Sequence, residues 1–137
     1  MPLPAGNLTP AQYEIMAAVW DCGKAGATVA EIWQTISAAR AVGRTTILNL
    51  VDRLEKRGWL SRRQHQGTFR YTAAISREKT AALLAGEFVD DFFGGSASNL
   101  VMSLLGSKRL RPEDVQRLRG LFQSAPPEIH RQKGKQP

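Results

Sequence analysis

Between residues 44 and 70 seven basic side chains, Arg44, Arg53, Lys56, Arg57, Arg62, Arg63 and Arg70, stand against two acids, Asp52 and Glu55, a net of +5. From 76 to 125 seven bases meet six acids, so the chain's net charge of +7 is focused on one stretch. A focused positive field answers to a polyanion. Threaded among these cations are Thr45, Thr46 and Asn49, which can exchange hydrogen bonds, and the apolar Leu48. At about 100° per residue, Ile47, Leu50, Val51 and Leu54 gather on one face of a helix. Thr45, Asn49, Asp52 and Lys56 then take the opposite face, flanked by Leu48 and Arg53. Such a helix fits the major groove, where base edges present donors, acceptors and the thymine methyl. Asn49 suits adenine, Arg53 guanine or a phosphate, Thr45 and Thr46 either, and Leu48 a thymine methyl. Arg44 and Lys56 supply charge at the two ends of the same helix.

A second group follows at once. Arg62, Arg63, His65 and Arg70 crowd around Gly67 with little acid nearby, and a hairpin of this kind can lie along a nucleic-acid backbone or enter the minor groove. Contacts to phosphate add affinity that falls as salt rises. Trp59, Phe69 and Tyr71 alternate with the arginines and are therefore expected in the core rather than as stacking platforms.

These groups need a scaffold, and the chain punctuates one clearly. Thr9-Pro10-Ala11-Gln12 starts a first helix with a capping box, and Tyr13, Met16, Val19 and Trp20 recur at helical spacing until Cys22-Gly23. A second capping box at Thr28 and Glu31 opens a short helix bearing Ile32, Trp33 and Ile36. A link at 38–43 leads to the third helix, Thr45 to Arg57, which Gly58 stops. Two strands, Trp59 to His65 and Thr68 to Ala73, surround His65-Gln66-Gly67. Three helices and a basic hairpin, in that order, predict a mainly α winged helix-turn-helix over 8–75. A helical region over 76–123 follows: a fourth helix from Ser76 to the Gly94-Gly95 break, a fifth capped by Ser96, and a sixth opened by Pro112. Leu110 and Val115 are spaced to staple the start of the sixth. The basic, Pro-rich segment at 124–137 is expected to be disordered.

The C-terminal helices carry more apolar side chains than they can hide alone. Leu84, Phe88, Phe92, Phe93, Leu100, Val101, Leu104, Leu105, Leu118, Leu121 and Phe122 predict a homodimer, which would also supply the two-fold symmetry of a palindromic DNA site.

Catalysis and metal binding find little support. Cys22 is the sole cysteine, expected to be a buried or neutral thiol, and His65 and His130 lie far apart. No nucleophile motif or phosphate-binding glycine loop occurs, and Glu87, Asp90 and Asp91 read as a solvated helix face. No catalytic residue, metal site or cofactor is therefore expected. The amino terminus lacks the blocks of a signal peptide, and no apolar run of about 18 residues could span a bilayer. The expected location is the cytoplasm, without membrane insertion.

The run from Leu8 to Trp20, LTPAQYEIMAAVW, resembles the first helix of the penicillinase repressors, the BlaI/MecI family. Thr28 to Ile32 is similar to that family's second helix, and Arg44 to Leu60 to its recognition helix and the start of its wing. Phe92 to Ser96, followed by Leu100-Val101, looks like its dimerisation region, so the resemblance runs collinearly over residues 8 to 123. It implies a dimeric repressor on a palindromic DNA operator, controlling β-lactamase or related resistance genes and released when a membrane sensor-protease signals. Where members of that family are cut at an Asn-Phe bond, this chain has Ser103-Leu104, so release is expected at another bond or without proteolysis. Copper-responsive relatives carry a C-terminal cysteine cluster, which Cys22 alone cannot form. The rival readings are a MarR-like ligand-sensing regulator and a winged helix that has become a protein-interaction module.

Overall fold

The structure, a computed structural model, describes residues 3–4 and 6–124. Apart from Ser124, the expected tail lies outside the described residues. Helix α1 (Pro10–Asp21) begins on a capping box. Thr9 Oγ1 accepts from the Gln12 N–H at 3.1 Å, and Gln12 Oε1 accepts from the Thr9 N–H at 2.9 Å. Helix α2 (Val29–Ser37) repeats the device with Thr28 and Glu31, at 3.1 and 3.0 Å. Each box satisfies two N–H groups that the first turn of a helix leaves without partners. Helix α3 (Arg44–Lys56) is long enough to bury Ile47, Val51 and Leu54 while presenting a full opposite face.

Strands β1 (Leu60–His65) and β2 (Thr68–Ala73) form an antiparallel hairpin in the register Leu60↔Ala73 to His65↔Thr68. Only Gln66 and Gly67 connect them, with φ of 53° and 79°. Two consecutive positive φ values match the right-handed twist of the flanking strands. Ala27 adds a third, one-residue rung. Its N–H donates to the Tyr71 carbonyl at 2.9 Å, and its carbonyl accepts from the Tyr71 N–H at 2.8 Å. The residue before it must be glycine. Gly26 sits at φ 72° and ψ −170°, and a Cβ there would stand 2.6 Å from the Tyr71 carbonyl oxygen.

Ile15, Met16, Val19, Ile32, Ile47, Val51, Leu54 and Trp59 are all within 1% of complete burial and form the centre of the core. Three helices and a hairpin packed around one core make the fold mainly α, a winged helix-turn-helix. Tyr13 departs from the apolar stripe read along α1. It stands 38% exposed, its ring edge-on to Trp20 at 5.6 Å. Cys22, expected to be a buried or neutral thiol, is exposed at the end of α1.

The chain divides into two compact units, Met1–Glu87 and Phe88–Pro137. Helix α4 (Arg77–Phe92) runs through the boundary. Its first turns belong to the winged unit: Ser76 caps them through the Lys79 N–H at 3.1 Å, Thr80 is fully buried, and Leu83 packs against the core. The Trp20 indole N–H donates to the Ile75 carbonyl at 3.0 Å in the same region.

In the second unit Phe88 packs on Phe92 and Phe93, with centroids 5.1 and 5.8 Å apart. Helix α5 (Ala97–Gly106) is capped by Ser96, whose Oγ accepts from the Asn99 N–H at 3.1 Å. Helix α6 (Pro112–Ser124) starts where the Arg111 N–H donates to Asp114 Oδ2 at 3.1 Å. Leu110 and Val115, the expected staple, line one apolar cleft together with Val101, Leu105, Leu118 and Phe122.

Candidate nucleic-acid interface

The two groups singled out by residue type lie on α3 and on the hairpin that follows it. Burial of Ile47, Val51 and Leu54, with Leu50 half-buried, turns the other side of α3 outward. There Thr45, Thr46, Leu48, Asn49, Arg53 and Lys56 are exposed, and Leu48 is 49% exposed despite having a core within reach of its helix. An exposed leucine among polar groups costs little alone, but it sets an apolar contact where a methyl could meet it. Lys56 Nζ lies 3.2 Å from Asp52 Oδ2, one turn back, so part of its charge is already answered. Arg53 has no ion pair among the described residues.

The start of α3 is fixed from outside. Trp33 of α2 donates its indole N–H to the Val42 carbonyl at 2.8 Å, which pins the link between the two helices. The Arg44 guanidinium covers the same indole ring at 4.6 Å from its centroid. Arg40 clasps Glu14 of α1 with two guanidinium nitrogens, and that contact holds the Glu14 carboxyl below its usual range. The link between the helices is thus tied to both α1 and α2. The sequence placed Trp33 on the apolar side of the second helix, but its partner nine residues on, a backbone carbonyl, carries no side-chain signal.

On the hairpin Arg62, Arg63 and His65 are exposed, while Arg70 is half-buried. Arg70 Nη1 donates to the Gly26 carbonyl at 3.1 Å and reaches Glu31 Oε1 at 3.3 Å. It therefore braces the wing against the start of α2. The Thr28 backbone N–H, and after it the Arg70 guanidinium, holds the Glu31 carboxyl below its ordinary range. The stabilisation from that charge is complete above the ordinary carboxylate pKa and is lost as pH falls through the lowered one.

Trp59 and Tyr71 are buried as expected, but Phe69 is not: its ring is 42% exposed and lies under the Arg62 guanidinium, 4.2 Å from the centroid. Among the described residues no cluster of three or more His, Cys, Asp or Glu side chains is placed to hold a metal. Nor, among those residues, is any helix long and apolar enough to cross a membrane.

The apolar residues expected at a dimer contact fall into two groups. Phe88, Phe92, Val101, Leu105, Leu121 and Phe122 are exposed, whereas Leu84, Phe93, Leu100, Leu104 and Leu118 are half-buried. Neither α5 nor α6 has a single fully buried side chain.

A helix-turn-helix whose third helix and basic hairpin both face outward defines a winged-helix DNA-binding regulator of transcription. Residues 8–124 match the model of the penicillinase repressor family, and the chain belongs to that family. It is a transcriptional repressor and not an enzyme.

Among its relatives, the methicillin resistance regulatory protein MecI of Mammaliicoccus sciuri is 23% identical over 116 residues, covering 85% of this chain and 93% of that one. The penicillinase repressor of Bacillus licheniformis is 22% identical over 112 residues, covering 82% and 86%. The solution structure of Bacillus licheniformis BlaI, a monomeric form in complex with the blaP half-operator, is 23% identical. It covers 53% of this chain and 87% of that one, with a TM-score of 0.46.

Proposed function

We propose that the chain is a homodimeric repressor that seats α3 of each protomer in the major groove of a palindromic operator and lays the hairpin on the flanking backbone. The observation that carries this reading is the outward face of α3. Asn49, Arg53, Thr45, Thr46 and Leu48 are exposed side by side, with the arginines of the wing immediately following. Repression is steric: the bound dimer occupies a promoter until it is released, and it acts in the cytoplasm, where the DNA is.

Homodimerisation is supported by the exposed apolar side chains of the second unit. The printed roles of the relatives, methicillin resistance regulation and penicillinase repression, favour target genes in β-lactam resistance.

Titrating a duplex at several salt concentrations tests the reading. Log affinity should fall linearly with log salt, and Arg63→Ala should reduce that slope by about 1 while weakening all duplexes alike. Binding that ignores salt, or an unchanged slope in the variant, would contradict it.

Release is the second testable point. Ser103 and Leu104 both lie within α5, and a protease needs extended backbone, so cutting between them demands local opening of the helix. If a membrane sensor-protease controls this repressor, its signal acts at another bond. In cells exposed to a cell-wall antibiotic, the repressor's mass should show no fragment ending at Ser103, and such a fragment would overturn the expectation.

A further inference from the structure

Arg62 and Arg63 are neighbours in sequence, yet the pleat sends them to opposite faces of the hairpin. Arg62 shares its face with Tyr71, its cross-strand partner, and with Gln64 and Phe69 nearer the turn. Its guanidinium lies over the Phe69 ring at 4.2 Å from the centroid, a diagonal pair that leads the charge toward the turn. A second resting place was open to it. Arg62 lines the same groove at the wing root as Glu55, but among the described residues the two form no ion pair. Phe69 offers this contact from an open position, its ring 42% exposed. Arg63 has neither a ring nor an acid against it among the described residues.

We propose that Phe69 is a positioning residue: it holds Arg62 stacked and directed toward the turn, so that this guanidinium meets DNA already ordered. Arg62, rather than the unrestrained Arg63, is then the principal anchoring cation of the wing. The proposal rests on reading the chain as a duplex-binding repressor. Its physical basis is that a long side chain ordered before binding spares the complex the cost of ordering it. That is about two- to tenfold in affinity for one such side chain.

The test uses the full chain and a duplex selected by it from a pool of randomised sequence. Phe69→Leu keeps an apolar side chain and every charge but removes the ring face. It should weaken binding about two- to tenfold with the salt slope and Tm unchanged. Phe69→Trp, which restores a ring face for the cation, should bind as the wild type does. Arg62→Ala should lower the salt slope by about 1, and adding Phe69→Leu to it should cost nothing more.

Wild-type affinity in Phe69→Leu, an additive loss in the double variant, or a loss in Phe69→Trp equal to that in Phe69→Leu would each overturn the proposal. So would a fall in Tm large enough to account for the lost binding. If Arg62→Ala weakens binding and Phe69→Leu does not, this proposal falls while the reading of the interface stands. If the wild-type chain selects no duplex at all, the reading of the interface falls and takes this proposal with it.

Discussion

Replacing Phe92 and Leu121 together by glutamate is expected to leave the full chain monomeric and to weaken its hold on an operator by about a hundred- to ten-thousandfold. These two side chains are 71% and 63% exposed, the most open of the large apolar groups on the second unit. A charge at either position therefore displaces little packing within the protomer, but it would be buried unpaired in any apolar contact with a second copy. The core of the winged unit is built from residues between Ile15 and Ile75 and is untouched by the change. What is lost is the tether. With two half-sites engaged, the second binding event draws on a high effective concentration, and a lone winged unit has none. Sedimentation velocity and duplex titration on the same preparation check both halves of the expectation. A variant that stays dimeric, or one that is monomeric yet binds as the wild type does, contradicts it.

Trp59→Ala is expected to cost about 3–5 kcal/mol of folding stability, the range for truncating a buried aromatic side chain. Trp59 is fully buried where α3 hands the chain to β1. Its backbone N–H donates to the Leu54 carbonyl at 2.9 Å, and its carbonyl accepts from the Ala74 N–H at 3.0 Å. Those backbone bonds survive the substitution, and a large cavity opens in the core that Trp59 shares with Leu54, Leu60 and Tyr71. Against a typical total of about 5–15 kcal/mol, such a loss leaves a large unfolded fraction at modest temperature. Urea unfolding followed by circular dichroism measures it, and a change below about 1 kcal/mol would remove Trp59 from the core.

Much of this arrangement was legible because local rules and the global fold agree. Thr9 with Gln12, and Thr28 with Glu31, announce their helices by spacing alone, and both boxes close as expected. The period of Ile47, Val51 and Leu54 assigns the outward face of α3 without any knowledge of its neighbours.

The misreadings share a cause. Alternation along β2 places Phe69 and Tyr71 on one face, and they do share it, but alternation does not say how far the core extends beneath a strand. Tyr71 lies over the core at 6% exposure, whereas two residues nearer the turn there is too little beneath Phe69 to bury it. Nor could spacing show that Arg70, counted among the wing cations, also pairs with Glu31, 39 residues away. The brace formed by Gly26 and Ala27 left no periodic signal, since a single rung has no period.

The central claim is that the outward face of α3 reads sequence, and Asn49 tests it most directly. The measurement is the ratio of affinities for a selected duplex and a scrambled one at a single salt concentration, in the wild type and in Asn49→Ala. Loss of one bidentate base contact should shrink that ratio by about 1–3 kcal/mol, roughly five- to 150-fold, while affinity for the scrambled duplex barely changes. A ratio unaltered by the substitution would mean that this face of α3 does not read the bases.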